Sequence, residues 1–269
     1  MGNETVSGPL LDHVVVLVSH ATLVQLPSRL QHVLVISPGG THADGATANK
    51  LILFEDGFYI ELIAFVDGLD PELRKKHRWG REKENTVIDW AYTLGHEEQF
   101  EAVRERVRRA GASIHYTAPE PGGRTRDDGT VLKWAVATAQ HDGGGAVQPG
   151  KLPFWCFDRT PRHLRVPYEQ NPLRTRHPCG ARGISAIRVV VPAGEQKVLG
   201  QVYNAIHEPK VPINLWRFGV PSKTSTSRGS GSVVLLRGNE FAIHEVILLG
   251  SPDRTIELLP GLYIRISPH

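Results

Sequence analysis

A chain of 269 residues with 40% hydrophobic and 22% charged residues has the composition of a soluble globular protein, with material for one large domain or two ordinary ones. A net charge of +3 argues against a nucleic-acid partner, and the densest basic run, "VRERVRRAG" (103–111), mixes arginine with glutamate as a solvated helix face does. Cys156 and Cys179 are too few for a disulfide scaffold and predict a reducing, cytoplasmic setting, while an N-terminal apolar run broken by Asp12 and His13 predicts neither a secretion signal nor a membrane partner.

In chain order, the pattern predicts a strand at 11–18, a short helical or turn segment at 21–30 and a strand at 32–36. The loop "SPGGTHADGATAN" (37–49) follows, then a hairpin of 50–55 and 58–65 turned at Asp56-Gly57. The order recurs with a strand at 86–94, a helix at 96–111 ended by Gly111, and strands at 112–117, 130–138 and 152–157. Between these lie a glycine-rich loop, "PEPGGRTRDDG" (119–129), and the stretch 141–150. Residues 159–180, rich in proline and basic side chains, read as a connector. A third pass has a strand at 183–192, a helix at 193–206 and strands near 212–218, 231–237, 241–249 and 255–266. Repetition of one unit matters because a lone curved sheet cannot bury its concave face. The expected fold class is α+β: paired βαβββ modules whose mainly antiparallel sheets curve around a cavity, with a third module at the C-terminal end. The expected domains are 9–165, holding two modules, and 182–269.

Glu61 interrupts the apolar strand "FYIELIAF". Alternation puts it on a face with Tyr59, Ile63 and Phe65, and puts His13 with Leu11, Val15 and Leu17, opposite Asp12, Val14, Val16 and Val18. An ionised carboxylate buried without a partner costs several kcal/mol. From the residues alone, three readings of Glu61 stay open: a surface charge, a buried group with a structural partner, or a ligand.

Taken in order, "LDHVVVLV", "PGGTHADGATANKLILFEDGFYIELIAF", "DWA", "LPFWCFD" and "HPCGARGIS" resemble the segments of glyoxalase-like domain proteins of the vicinal oxygen chelate superfamily, over about residues 9–195. The resemblance implies paired βαβββ modules around a small-molecule cavity. It also implies a divalent metal (Zn, Fe, Mn or Ni) held by a first-strand histidine and a last-strand glutamate, which here are His13 and Glu61. In the partner module the matching positions are Trp90 and Cys156, with Asp158 two residues on; in the third module they are Ala186 and Glu257. Neither set supplies a second strand histidine.

Other candidates are His42, placed by the paired glycines of its loop to move a proton, and Asn49, placed to donate to a carbonyl. Arg124 or Arg126 would meet an anionic substrate, and Trp90 and Trp155 would line an apolar cavity or simply pack in a core. His177 reads as an ordering residue of the connector. The expected function is an enzyme acting on a small oxygenated metabolite by isomerase or lyase chemistry through an enolate-type intermediate. Its expected catalytic residues are His13, Glu61 and His42, and its substrate-binding residues Asn49, Trp90, Trp155 and Arg124. The alternative is a metal-free protein that binds or sequesters a small molecule on the same fold. A homodimer is consistent with an unpaired third module.

Overall fold

The computed structural model describes residues 8–126, 128–209, 214–222 and 230–268. The first module comprises β1 (Leu10–Leu17), α1 (His20–Leu30), β2 (Ser37–Thr41), β3 (Thr47–Leu53) and β4 (Tyr59–Phe65). After a short α2 (Pro71–Lys76) come β5 (Thr86–Thr93), α3 (Phe100–Arg109), β6 (Ile114–Tyr116), β7 (Glu120–Thr125), β8 (Val131–Ala137), β9 (Ala139–His141) and β10 (Phe154–Asp158). In each module the first strand lies parallel to the last, β1 beside β4 and β5 beside β10, and the remaining strands follow antiparallel. β6 and β9 form a separate ribbon. Antiparallel pairing of β1 with β5 joins the modules into the order β2-β3-β4-β1-β5-β10-β8-β7.

The two outer edges of this curved sheet meet. The Ala43 N–H donates to Gly123 O at 2.9 Å, and His42 and Arg124 form an isolated bridge. Eight strands thereby surround a cavity, with the helices outside. Leu23, Leu26 and Leu30 of α1 and Val103 and Val107 of α3 share the helix-side core with Leu11, Val14, Val16, Ile60 and Leu62. Val15, Leu17, Ile63, Phe65, Ala91, Phe154 and Cys156 form a smaller cluster on the opposite face.

Three local expectations are corrected. Residues 32–36 are not a strand: the N–H groups of Val33 and Leu34 turn back to Leu30 O, and that of Val35 donates to His177 Nδ1. The strands lie instead in "SPGGT" and "EPGGRT", which read as loops. Both are edge strands with one partner each, where a proline loses no ladder bond. Their glycines permit close approach, since a Cβ on Gly39 would stand 2.1 Å from Asn49 O and one on Gly122 2.6 Å from Trp134 Nε1.

The third correction concerns the C-terminal part. After α4 (Arg162–Arg165) come β11 (Ala181–Pro192), α5 (Ala193–His207), β12 (Leu215–Gly219), β13 (Ser230–Gly238) and β14 (Ala242–Gly250). The strand expected at 255–266 is a hairpin of β15 (Arg254–Leu259) and β16 (Leu262–Ser267), turned at Gly261 with φ of 81°. Residues 212 and 213 of the strand expected near 212–218 lie outside the described residues. β11 runs parallel to β13 and β14 parallel to β16, each followed by an antiparallel strand, and β11 pairs antiparallel with β14. The region therefore repeats the modules' strand order, once in β11–β13 and again in β14–β16. A single pairing of Leu10 with Gly219 links β12 to β1. Among the described residues no helix is long and apolar enough to cross a membrane.

Asp56 ties this region to the first module. Its carboxylate accepts from Phe58 N–H inside the turn (3.0 Å) and from Ile184 N–H on β11 (2.8 Å), a contact that Gly183 admits by having no Cβ. Burial pushes the Asp56 carboxyl up to about 7, against these backbone donors. An acid whose pKa is raised by folding holds more protons folded than unfolded, so its contribution is fully present below about pH 4 and lost as pH rises through about 7. Denaturant midpoints are expected to fall across that window, and Asp56→Asn to flatten that part of the profile. A slope that survives the substitution would assign the pH dependence to another group.

Candidate functional site

The cavity enclosed by the first two modules has a volume of about 300 Å³ and is walled by both. The first module contributes His13, His42, Asn49, Leu51, Tyr59 and Glu61. The second contributes Arg124, Trp134, Val136, Phe154 and Cys156, while His77 and Trp79 reach in from the segment after α2. That segment is anchored by Asp89 of β5, which accepts from Arg78 Nε and Trp79 Nε1, both at 2.8 Å.

His13 reaches the cavity through a bulge. The pairing of β1 with β5 slips between Leu11 and His13, leaving Asp12 as the extra residue. Leu11 consequently joins the helix-side core while His13, two residues on, lines the cavity, so the strict alternation that put them on one face is corrected. His13 stacks on Tyr59 with ring centroids 4.6 Å apart and meets the edge of Phe154. Its Nδ1 bonds Asp12 Oδ2 at 2.7 Å, which leaves Nε2 as the nitrogen available in the cavity. That Nε2 lies 3.7 Å from Glu61 Oε2.

Glu61 is 6% exposed, so the surface-charge reading is excluded. Its Oε1 accepts from Asn49 Nδ2 at 2.6 Å. The same amide nitrogen lies 3.2 Å from His42 Nε2, and His42 Nδ1 lies 2.7 Å from Thr47 Oγ1. Asn49 Oδ1 in turn accepts from Gly40 N–H at 3.2 Å and from Arg124 Nη1 at 3.3 Å. Both ring nitrogens of His42 are thus engaged within the protein. Burial lowers the pKa of His42 despite the nearby Glu61 and Asp44 carboxylates.

A second set of charges lies behind His13. Asp12 is fully buried, and burial disfavours its charge; Arg162, Arg165 and the hydrogen bond from His13 nonetheless hold its carboxyl well below the usual range. Arg165 Nη1 donates to Asp12 Oδ2 (3.1 Å) and Tyr59 Oη (2.5 Å), and its Nε donates to Asp158 (2.6 Å). Arg162 bridges Asp12 and Asp158. Arg124 is 5% exposed, burial lowers its pKa, and no carboxylate among the described residues lies within ion-pair distance of it.

The structure therefore brings His13, Glu61, His42, Asn49 and Arg124 into one cavity. It does not bring Trp90 or Trp155 there. Both are fully buried on the helix side, Trp90 against Tyr92 and Tyr203, and Trp155 among Phe100, Tyr116 and Phe157. The aromatic walls are Trp79, Trp134 and Phe154 instead. Alternation identifies Phe154 as facing away from Trp155, whereas nothing local marks Trp79 or Trp134. Ala91 stands opposite Phe154 as His13 stands opposite Tyr59, so strand pairing matches Ala91, rather than Trp90, to the first-strand histidine. Glu257 is exposed on β15, far along the sheet from β1, and the second module closes the cavity. Arg126 pairs with Asp128. His177 accepts from Val35 N–H and donates to Leu53 O, which fastens the connector to β3.

The model of the glyoxalase-like domain family matches residues 11–200, well over half of the sequence, and the chain belongs to that family, within the vicinal oxygen chelate superfamily. Among solved structures, a hypothetical protein from Staphylococcus aureus is similar at a TM-score of 0.65 and 14% identity, over 96% of this chain and 98% of that one. A mutant of 4-hydroxymandelate synthase from Streptomyces coelicolor matches at a TM-score of 0.45 and 10% identity, over 91% of this chain and 72% of that one. Methylmalonyl-CoA epimerase from Mycobacterium tuberculosis matches at a TM-score of 0.33 and 16% identity, over 61% of this chain and 95% of that one. The first likeness shows the shared fold. No curated protein sequence matches the chain significantly.

The metal implied for His13 and Glu61 does not fit the residues present. Asn49 Nδ2 occupies the space between Glu61 Oε1 and His42 Nε2, so His42 does not join His13 and Glu61 as a third ligand without displacing that amide. The second module offers Ala91 and Cys156 at the matching positions, neither of them the histidine or carboxylate of the implied ligand set. Among the described residues no group of three or more His, Cys, Asp or Glu side chains is disposed to hold a metal ion. Protein purified without chelator is expected to carry metal far below one equivalent per chain by elemental analysis. One equivalent of a divalent metal, lost in Glu61→Gln, would overturn this assessment.

Proposed function

We propose that the chain is an enzyme of isomerase or lyase type that moves a proton on a small oxygenated, enolisable substrate, with Glu61 and His13 as its acid–base pair. One observation carries the reading: Glu61 Oε2 and His13 Nε2 face each other across 3.7 Å in a walled cavity, while Asn49 holds the other carboxylate oxygen and Asp12 the other ring nitrogen. Each group is pinned on its far side and free on its near side, as proton transfer requires.

In the proposed reaction Glu61 Oε2 removes a proton from a carbon next to a carbonyl. The C–H electron pair moves into a new C=C bond, and the carbonyl π pair moves to oxygen, giving an enolate. Arg124 is the cavity's guanidinium without a carboxylate partner among the described residues, and it stabilises the oxyanion. Return of a proton through His13 Nε2 to a different carbon or face is isomerisation; loss of a group beta to the carbonyl is lyase chemistry. His42, engaged at both nitrogens, is a positioning residue that orients the Asn49 amide toward Glu61. No step passes through a metal.

The aromatic walls favour one other reading, a protein that only binds and sequesters its ligand. Wash-in of deuterium from D₂O into a panel of small 2-oxo acids and hydroxyketones, followed by NMR, separates the two. Enzyme-dependent exchange is expected for at least one compound, with Glu61→Gln and His13→Gln each slowing it by about 10²–10⁴-fold. Tight binding without exchange, unaffected by either substitution, would establish sequestration instead.

A further inference from the structure

A second cavity, of about 160 Å³, adjoins the first, and Leu51, Arg124 and Arg165 line both. Its polar lining carries an excess of positive charge. Arg165 is committed to Asp12 and Asp158, and Arg126 to Asp128 at 3.0 Å. Arg124 and Arg174 remain, neither within ion-pair distance of a carboxylate among the described residues. Ser37, 2% exposed, adds a hydroxyl Oγ that has no hydrogen-bond partner among the described residues. A buried hydroxyl left unsatisfied carries a desolvation cost, and so does a buried guanidinium without a counter-ion within ion-pair distance, which the 3.3 Å bond from Arg124 to Asn49 offsets only in part. Both residues line one cavity, and one group can answer both: an oxyanion, whose lone pairs accept from a guanidinium and from a hydroxyl turned toward it.

We propose that this second cavity is an oxyanion subsite that takes a carboxylate or phosphate group through Arg124, Arg174 and Ser37. Resting on the proton-transfer reading above, it holds the anionic end of the substrate whose carbonyl lies beside Glu61. Arg124, on the shared wall, then faces the oxyanion on one side and the reacting oxygen on the other. Arg174 stands in a 3₁₀ turn of the connector (Pro172–Arg174), so the connector completes the subsite and the two modules supply the rest.

Calorimetric titration of the full chain with inorganic phosphate, and separately with succinate, at constant ionic strength set by chloride, tests the subsite without any turnover. One saturable site is expected for at least one of the two anions, and which of them binds identifies the group. Arg174→Gln and Ser37→Ala are each expected to weaken it at least about tenfold. Both are small changes at the cavity wall, and circular dichroism melts verify that each variant is folded. Absence of saturable binding of either anion, or binding unchanged in both variants, would overturn the proposal. Glu61→Gln should still bind the anion at one saturable site, so loss of deuterium exchange with anion binding retained separates failure of one reading from failure of the other.

Discussion

The site depends on one buried carboxylate. Asp12 sits in the bulge of a central strand with no exposure to solvent, where an unpaired charge would not be tolerated. Arg165 and Arg162 come from α4 in the connector to meet it, and Asp158 at the end of β10 holds both arginines. Removing one partner of such a buried group costs about 3–5 kcal/mol, so the connector is fastened to the sheet by electrostatics as well as by packing. Arg165 then reaches the Tyr59 hydroxyl, and Tyr59 stacks on His13. The histidine is therefore fixed at its ring nitrogen by Asp12 and on its face by Tyr59, and both restraints trace back to the same carboxylate.

The same network distributes the cationic charge of the cavity. Arg165 lines the cavity, but its donors are already bonded to Asp12, Asp158 and Tyr59. Among the described residues, the Arg124 side chain is held by one long hydrogen bond, to Asn49. Two buried arginines on the same wall thus differ in what they can offer a ligand: one is a structural ion, the other a cation still short of an anion. Composition cannot tell them apart, because the distinction lies in which carboxylates fold against them.

Much of the architecture was legible because it rests on local pattern. The paired modules, the helices α1, α3 and α5 and the strands carrying His13 and Glu61 follow from apolar periodicity and turn residues. What was illegible depended on partners distant in sequence. The edge strands β2 and β7 look like loops because proline and glycine are read as breakers, yet an edge strand bonds on one side only and each glycine makes room for an opposing chain. The bulge at Asp12 shifts Leu11 to the opposite face from His13 and has no local signature. Trp90 and Trp155 were ambiguous between cavity and core, and both fell to the helix side, where α3 and α5 supply the larger apolar surface. Arg165 lay hidden in a basic connector, and the carboxylate of Asp12 that it meets is more than 150 residues away.

The modules share their strand order but not their chemistry. His13, His42, Asn49 and Glu61 all come from the first, while the second supplies Arg124 and a largely apolar wall with Ala91 and Cys156 at the matching positions. A metal centre lying between two modules draws ligands from both, and this pair offers one half of such a set. A proton-transfer pair has a different requirement: two groups held in fixed relation, with their far atoms already occupied. The parallel ladder of β1 and β4 meets it, because it sets His13 opposite Tyr59 and Glu61 opposite Val15, one step further along the same face. The first module alone can therefore hold the proposed acid–base pair, and the second is left free to shape and charge the space in front of it.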